Sequence, residues 1–490
     1  MINNFRSRKT AYLATVGLLL ASTAQSYKIA VMNDIHVDLS FDPTTCSGGD
    51  EDTKKIHLEK KQTSDPRLLG MLGCDPPKEL LMAFLDKLKQ QDPTDLDFLL
   101  IPGDLVAHGI PLEPTDPSKG NYTLLKETIN TVSQTISQYF PNTLVIPSLG
   151  NNDPKYHYVA LNHQDKAEYF SFLFDSWFNQ ISGNKNKLSV EQLADIKGTF
   201  LKGGYYRVDV DDKLSVLALN TLNFNKKNDE SQQGTDAPDQ MNWFKSQLAN
   251  GGNRKFLITN HIYPGAKFIS KSKDLFHPEY NTQYFDILNQ YKDRIVIEVS
   301  AHDHFSDVRY HSDGNEDNKQ FYHNLIVSPG ISPVKNQNPG IAHFEIDRST
   351  FIPQNLRMIF IALEQTYALT KSQITAVKTN LPFRTVTFSD YGLYQLTAEA
   401  LHTFKSKLEN DDELTYKYSV AKLGFDPNNK TEFELGINLY INDMGLITSS
   451  KRKTYKLICQ MHLSKDSTEL DKCIQDGKDS SKLSASLFLQ

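Results

Sequence analysis

Short apolar runs, each followed by Asp, His, Asn or Gly, constrain the fold of this chain more than any other feature. Runs at 27–32, 97–102 and 143–149 are separated by two segments whose apolar residues recur at helical spacing. Strands that alternate with helices form parallel sheets, whose ligands lie beyond the carboxyl ends of the strands. The sequence therefore predicts an α/β fold with a polar site at one rim.

Further apolar runs predict a second sheet. The segments 204–210 and 213–219 have the residue pattern of two antiparallel strands joined by a turn. A helical segment at 239–249 precedes the next apolar run. The remaining strands of this sheet are expected at 255–259, 294–299, 324–327 and 343–346.

Two predictions concern the helices. Asp75 is expected to be the N-cap of the helix that follows it, with Pro76 in the first turn. Beyond residue 349 the segments 363–372 and 396–408 have helical patterns. We expect residues 27–348 to form the main domain and 349–490 a small, mostly helical C-terminal subdomain.

The first 26 residues have the three parts of a secretory signal peptide. Basic residues precede an apolar run at 11–21, and small residues follow at Ser22, Ala24 and Ser26. That run is shorter than the roughly 20 residues that span a bilayer, and the sequence contains no second candidate. We expect a soluble, monomeric protein that is secreted or delivered to a lysosome or vacuole.

The four cysteines fit an oxidising compartment. Pairing Cys46 with Cys74 and Cys459 with Cys473 closes short loops, although two other connectivities remain open. The triplets that begin at Asn121 and Asn429 are N-glycosylation sequons.

The polar residues that follow the apolar runs form a set of metal-ligand types. Each pair alone, such as His302 and His304, is more often structural, but the whole series in this order is improbable by chance. Carboxylate, amide and imidazole groups without a thiolate suit two divalent ions such as zinc, which together promote phosphoester hydrolysis. The candidate ligands are Asp34, His36, Asp104, Asn151, His261, His302 and His304.

The order of these motifs resembles the calcineurin-like metallophosphoesterases, and more narrowly the acid sphingomyelinase and acid-sphingomyelinase-like phosphodiesterase branch. Supporting segments are Lys202-Gly203-Gly204-Tyr205-Tyr206, His261-Ile262-Tyr263-Pro264-Gly265 and Asn338-Pro339-Gly340-Ile341. The resemblance covers nearly the whole chain after the signal. It implies a β-sandwich flanked by helices and a disulfide between Cys459 and Cys473.

The resemblance also implies roles for single residues. One zinc ion would be held by Asp34, His36, Asp104 and His304, and the other by Asp104, Asn151, His261 and His302. His108 would stabilise the phosphate and protonate the leaving oxygen. The alternative for His108 is a solvent-facing loop residue.

Asn152 departs from the family pattern, which usually has His at this place. An amide cannot donate a proton in catalysis, although it can hydrogen-bond a phosphate oxygen. We therefore predict a di-metal phosphodiesterase that hydrolyses a phosphodiester or phosphoanhydride substrate, with His108 and Asn152 as catalytic residues. The alternatives are an endopolyphosphatase, since a related branch has Asn here, and a metal-binding secreted glycoprotein with little turnover.

The substrate class stays open between a phospholipid head group, such as that of sphingomyelin, and a nucleotide. Tyr156, His157 and Tyr158 could hold choline by cation–π contact or stack on a base. The signal runs directly into the first strand, so we expect no lipid-presenting module before it and favour a soluble phosphodiester or nucleotide substrate. The net charge of -6 offers no general attraction for duplex nucleic acid.

Overall fold

The architecture is described by a computed structural model. It covers residues 26–44, 67–91, 96–159, 163–228, 234–268, 271–314, 318–370, 374, 381–432, 434, 436 and 450–476. Residues 1–25 of the predicted signal peptide and Cys46 lie outside these ranges. Within them, no helix is long and apolar enough to cross a membrane.

Strands and helices alternate along the first half of the chain. The strands are β1 (Ser26–Val31), β2 (Phe98–Ile101), β3 (Leu144–Pro147), β4 (Tyr206–Asp209), β5 (Leu214–Ala218), β6 (Lys255–Thr259), β7 (Ala266–Phe268), β8 (Ser272–Asp274), β9 (Ile295–Ser300), β10 (Asp307–Asp313), β11 (Gln320–Val327), β12 (Gly340–Asp347), β13 (Pro353–Ile361) and β14 (Phe383–Thr387). The α-helices are α1 (Lys78–Gln91), α2 (Tyr122–Tyr139), α3 (His163–Phe174), α4 (Ser182–Lys187), α5 (Val190–Gly203), α6 (Asp236–Asn250), α7 (Pro278–Gln290), α8 (Ala398–Asn410), α9 (Asp412–Ala421) and α10 (Ser450–Met461).

Two six-stranded sheets share one continuous hydrophobic core. The first has the order β14-β13-β12-β1-β2-β3, and the second has the order β10-β11-β9-β6-β5-β4. The strands β1, β2 and β3 are parallel to one another, as are β5, β6, β9 and β11. This confirms the predicted α/β fold of two sheets flanked by helices.

The strand at 343–346 belongs to a different sheet from the one predicted. It is part of β12, which pairs with β1 through Ile29 and Phe344 and so lies in the first sheet. The prediction that it completes the second sheet is wrong, because the alternation of side chains sets the faces of a strand but not its partner.

The helices α1 and α2 form because their apolar residues repeat every three or four positions. Leu80, Leu81, Phe84, Leu85 and Leu88 of α1 are all buried. The helix α1 begins at Lys78, so the prediction that Asp75 is its N-cap is wrong. The Asp75 carboxylate has other partners, which are described below.

The first sheet continues past the predicted domain boundary at residue 348. The strands β12 and β13 pair from Gly340 with Phe360 to Ile346 with Pro353, and β14 pairs with β13. The boundary therefore falls inside this sheet. The predicted helix at 363–372 is wrong over its described residues, 363–370, where Leu363–Thr366 forms one short 3-10 turn.

One predicted helix and one predicted disulfide in the C-terminal part of the chain are confirmed. The predicted helix at 396–408 is confirmed as α8, and Cys459 and Cys473 form the predicted disulfide. Cys74 is also disulfide-bonded, but its predicted partner Cys46 is outside the described residues. Both sequon residues, Asn121 and Asn429, are exposed.

Candidate metal centre

All seven predicted ligands lie just beyond the carboxyl ends of parallel strands. Asp34 and His36 follow β1, Asp104 follows β2, and Asn151 follows β3. His261 follows β6, while His302 and His304 follow β9, so the two sheets contribute to one cluster. This is the rim at which the sequence pattern places the site.

The loops that carry the ligands have an unusual backbone. Among the described residues, nine non-glycine residues have positive φ, and five of the nine are predicted ligands: Asp34, His36, Asp104, His302 and His304. Such conformations cost about 1–3 kcal/mol each and cluster at functional sites, where the surrounding structure holds them in place. The positive φ values turn the backbone so that these five side chains converge on one cluster.

Two glycines allow the ends of β2 and β3 to converge. A Cβ on Gly150 would lie 2.1 Å from Asp104 Oδ1, and a Cβ on Gly103 would lie 2.3 Å from the Gly150 nitrogen. Gly103 also has φ of +89°. A side chain at either position would therefore push Asp104 away from Asn151.

The first group of ligands surrounds Asp34. His304 Nε2 lies 3.6 Å from Asp34 Oδ1, and His36 Nε2 lies 3.8 Å from the same oxygen. His36 Nε2 is also 3.4 Å from Asp104 Oδ2. These four side chains are the set that the resemblance assigns to one ion.

Asp104 joins this group to the second. Its Oδ2 atom lies 3.3 Å from His261 Nε2, and His261 Nε2 lies 3.0 Å from Asn151 Oδ1. The His302 ring centroid is 5.1 Å from that of His261. One carboxylate oxygen thus faces both groups of candidate ligands.

Three histidines present the same nitrogen to the cluster. Nδ1 of His36 lies 2.9 Å from the Val106 carbonyl oxygen, that of His261 lies 2.8 Å from Pro102 O, and that of His304 lies 3.1 Å from Ser332 O. In a neutral imidazole, an Nδ1–H that donates to a carbonyl leaves Nε2 unprotonated, which is the arrangement of metal-binding histidines.

The donor set fits divalent ions. Buried atoms Asp34 Oδ1 and His36 Nε2 make no hydrogen bond within the described part of the chain. Ligand atoms of Asp34, Asp104 and His261 all lie within 4.8 Å of one another, and so do those of His36, His108 and His304. Buried acceptors without donors are costly unless a cation satisfies them.

The buried carboxylates and imidazoles of the cluster shift the pKa values of one another. Burial lowers the pKa of His36 and His261, but Asp34 and Asp104 outweigh it and raise these pKa values to about 10 and about 9. Burial raises the pKa of Asp104, but His261 and His36 hold it well below its usual range. Carboxylates that stabilise positive charge this strongly favour a cation between them.

His108 lies beside the ligands but is held differently. Its ring stacks on His36 with centroids 4.1 Å apart. Its Nδ1 lies 2.9 Å from Asp75 Oδ2, and its backbone N–H donates to the same oxygen at 2.7 Å. Ser332 Oγ donates to Asp75 Oδ1 at 2.8 Å. Nε2 of His108 is therefore the nitrogen that is not engaged by Asp75.

The sequence did not identify Asp75 as part of the site. Its position before Pro76 is typical of a helix cap, and its partner His108 is 33 residues away. Burial raises the pKa of Asp75, but His108 outweighs this and lowers it to about 2. Asp75 is therefore an ionised carboxylate that holds and orients the His108 ring.

Asn152 is directed at Asp104. Its backbone N–H donates to Asp104 Oδ1 at 2.7 Å, and Nδ2 donates to Oδ2 at 2.9 Å. The neighbouring Asp153 accepts from the backbone N–H groups of Asp104, Leu105 and Gly150. Asn152 thus supports the Asp104 carboxylate by two hydrogen bonds.

Two packed sheets with this cluster at their shared rim define a phosphoesterase with a candidate centre for divalent metals. Comparison with known families agrees: residues 27–306 match the model of the calcineurin-like phosphoesterases. The chain belongs to this family.

Individual relatives are more distant. The chain is 26% identical to sphingomyelinase phosphodiesterase C of Dictyostelium discoideum over 71% of this chain and 77% of that protein. It is 27% identical to cyclic GMP-AMP phosphodiesterase SMPDL3A of Homo sapiens over 64% of this chain and 66% of that protein. It is 23% identical to acid sphingomyelinase-like phosphodiesterase 3b of Mus musculus over 71% of this chain and 73% of that protein. These names support the predicted resemblance to the sphingomyelinase-like branch.

Proposed function

We propose that this protein is a two-metal phosphodiesterase in which the seven clustered side chains hold two ions, most suitably zinc. The single observation that carries the proposal is the position of Asp104 Oδ2, 3.4 Å from His36 Nε2 and 3.3 Å from His261 Nε2. Imidazole nitrogens combined with carboxylates suit zinc. When bound, such ions lower the pKa of a water molecule and offset the charge of the phosphate.

His108 supplies the proton for the leaving oxygen. Asp75 fixes its Nδ1, so the proton to be transferred is on Nε2. One ring nitrogen of His108 lies within 4.8 Å of a ring nitrogen of His36 and of one of His304. The buried Asp75 carboxylate holds the imidazole in one orientation. Asn152 cannot share this task, so protonation depends on His108.

The test compares substrates with different leaving groups. His108→Ala should slow hydrolysis of an alkyl phosphodiester about 100-fold or more, because an alkoxide needs a proton to leave. It should slow bis-p-nitrophenyl phosphate less, because nitrophenolate leaves without one. Bound metal should stay near two ions per chain, as it should in a control variant, His277→Ala, whose ring lies against Asn228 O.

Two outcomes would contradict this role. Loss of metal in His108→Ala would make His108 a ligand, because its ring nitrogen belongs to a group that could hold an ion. Equal slowing of both substrates would show that His108 does not protonate the leaving group.

We also propose that residues 1–26 direct the chain into the secretory route. The disulfide between Cys459 and Cys473 supports this, because such bonds persist in oxidising compartments. Sequencing the amino terminus of the protein recovered from the medium or from lysosomes tests the proposal. A mature protein that begins near residue 27 is expected, and an intact, cytosolic protein would contradict it.

A further inference from the structure

Asp303 separates the candidate ligands His302 and His304, and its side chain is held from two sides. Tyr263 Oη donates to Asp303 Oδ2 at 2.5 Å, and Lys267 Nζ lies 2.8 Å from Asp303 Oδ1. Groups that lie just outside a metal site orient the ligands, and their loss weakens metal binding. The Asp303 carboxylate is placed to do this, because it fixes the turn that carries both imidazoles.

A series of buried ion pairs leads away from Asp303. Arg309 Nη2 lies 3.6 Å from Asp303 Oδ2, and Arg309 Nε lies 3.1 Å from Asp307 Oδ2. Lys422 Nζ lies 3.2 Å from Asp307 Oδ1. Arg309, Asp307 and Lys422 are 3%, 4% and 4% exposed. Charges buried this deeply are costly unless each has a partner, so their positions depend on one another. We call Asp303, Arg309, Asp307 and Lys422 the ion-pair chain.

Arg309 is the central member of the ion-pair chain. Its guanidinium lies over the Tyr263 ring, with Cζ 4.4 Å from the ring centroid, while it contacts the carboxylates of Asp303 and Asp307. A planar guanidinium can contact two carboxylates with its edges and an aromatic ring with its face. Arg309 therefore transmits the position of one carboxylate to the other.

The far end of the ion-pair chain belongs to the C-terminal part of the protein. Lys422 directly follows α9, and its carbonyl oxygen accepts from Ser306 Oγ at 2.6 Å. The carbonyl oxygens of Leu423 and Gly424 accept from the backbone N–H and from Nδ2 of Asn338, at 3.1 and 3.0 Å. The backbone that carries the Lys422 ammonium is thus itself held in place.

We infer that Arg309 is a positioning residue for the metal ligands, and that the ion-pair chain makes metal binding depend on the C-terminal part of the protein. Arg309 acts through Asp303 on the turn that carries the ligands His302 and His304. This inference rests on the proposed two-metal function and concerns how that site is held.

The test removes Arg309 without leaving a carboxylate unpaired. In Arg309→Met, Asp303 keeps Lys267 and Asp307 keeps Lys422, so two separate ion pairs replace the ion-pair chain. Transfer of zinc from the metal-loaded protein to a chromophoric chelator measures how firmly the ligands are held. Arg309→Met should release zinc about tenfold faster than wild type, because groups that orient ligands affect metal affinity by this order.

A second readout separates positioning from general stability. Turnover of bis-p-nitrophenyl phosphate by Arg309→Met should be reduced when zinc is limiting and should return when zinc is saturating. Circular dichroism checks that each variant is folded at the assay temperature. A variant that only lost fold stability would show wild-type zinc release and wild-type dependence on zinc while folded.

The far end of the ion-pair chain provides a milder variant and a control. Lys422→Met should release zinc about threefold faster, and combining it with Arg309→Met should add nothing, because both changes act through the same contacts. Lys417→Met removes an exposed lysine of α9 that pairs with Glu413 at 2.7 Å, and it should behave like wild type.

Failure of the inference and failure of the proposed function are distinguishable. Wild-type protein that takes up no zinc would contradict the proposed two-metal function. Zinc-loaded wild type together with zinc release at the wild-type rate from folded Arg309→Met would overturn only the inference about Arg309. If Arg309→Met does not fold, Lys422→Met decides: release at the wild-type rate overturns the inference, and faster release supports it.

Discussion

Compared with the half of the site that we propose binds metal, the half that we propose donates a proton is held by fewer main-chain contacts. His36, His261 and His304 each present Nε2 because Nδ1 contacts a backbone carbonyl oxygen. His108 presents Nε2 because Nδ1 contacts the side chain of Asp75. Backbone carbonyls persist when side chains change, whereas a carboxylate can be lost by one substitution.

The comparison teaches where this chain is free to differ from other members of its family. The ligand positions are fixed by strained turns at strand ends, so they are constrained by the fold itself. The proposed proton donor, His108, depends on the buried Asp75 carboxylate, and position 152, where the resemblance implies a second imidazole, is Asn152. Changes in chemistry are therefore expected in the proton-donor half.

The largest effect should come from the bridging ligand. Asp104→Asn removes the charge shared by both groups, and we expect turnover of bis-p-nitrophenyl phosphate to fall about 10³-fold or more with loss of metal. Elemental analysis and initial rates measure both. Asp38→Asn, which alters a carboxylate that accepts from Ser40 N at 2.8 Å, is the matched control. Full metal content and activity in Asp104→Asn would contradict the proposal that both groups of ligands depend on the Asp104 charge.

A smaller effect is expected at Asp75. Asp75→Asn keeps the shape of the side chain but removes the charge that holds His108, so turnover of an alkyl phosphodiester should fall about 10- to 100-fold. Metal content should be unchanged, and the loss for bis-p-nitrophenyl phosphate should be smaller. Loss of metal in Asp75→Asn would show that metal binding and the position of His108 depend on the same residue.

The same carboxylate should affect stability in acid. His108 outweighs burial and lowers the pKa of Asp75 from 3.8 to about 2 in the folded protein. A lowered pKa stabilises the folded state above pH 4, and this contribution is lost as the pH falls from about 4 to about 2. Urea unfolding across this range should show wild type losing about 2 kcal/mol more than Asp75→Asn. Parallel curves for the two proteins would show that Asp75 is not ionised in the folded state.

The smallest effect is expected at Asn152. Asn152→His should increase hydrolysis of an alkyl phosphodiester about tenfold or less, because a second imidazole can protonate the leaving oxygen. The gain is limited because the variant loses the 2.9 Å hydrogen bond from Nδ2 to Asp104. A decrease in rate would show that this support of Asp104 outweighs an added proton donor.

Much of the fold follows from the sequence because strand, helix and ligand patterns are local. The apolar runs that correspond to β1, β2, β3, β6 and β9 each end beside a candidate ligand. Their order along the chain predicts which rim of the sheets contains the site. The sheet that contains β12 could not be predicted, since its alternation is the same whichever strand it pairs with. Asp75 was missed for a related reason, because its partner His108 is distant in sequence.

The central claim is that this cluster binds two ions on which turnover depends. The most direct measurement is elemental analysis of the purified protein before chelation, after it and after metal is returned, with activity on bis-p-nitrophenyl phosphate measured each time. We predict about two divalent ions per chain, loss of turnover on chelation and recovery with zinc. Undiminished turnover in protein that contains no bound metal would contradict the claim.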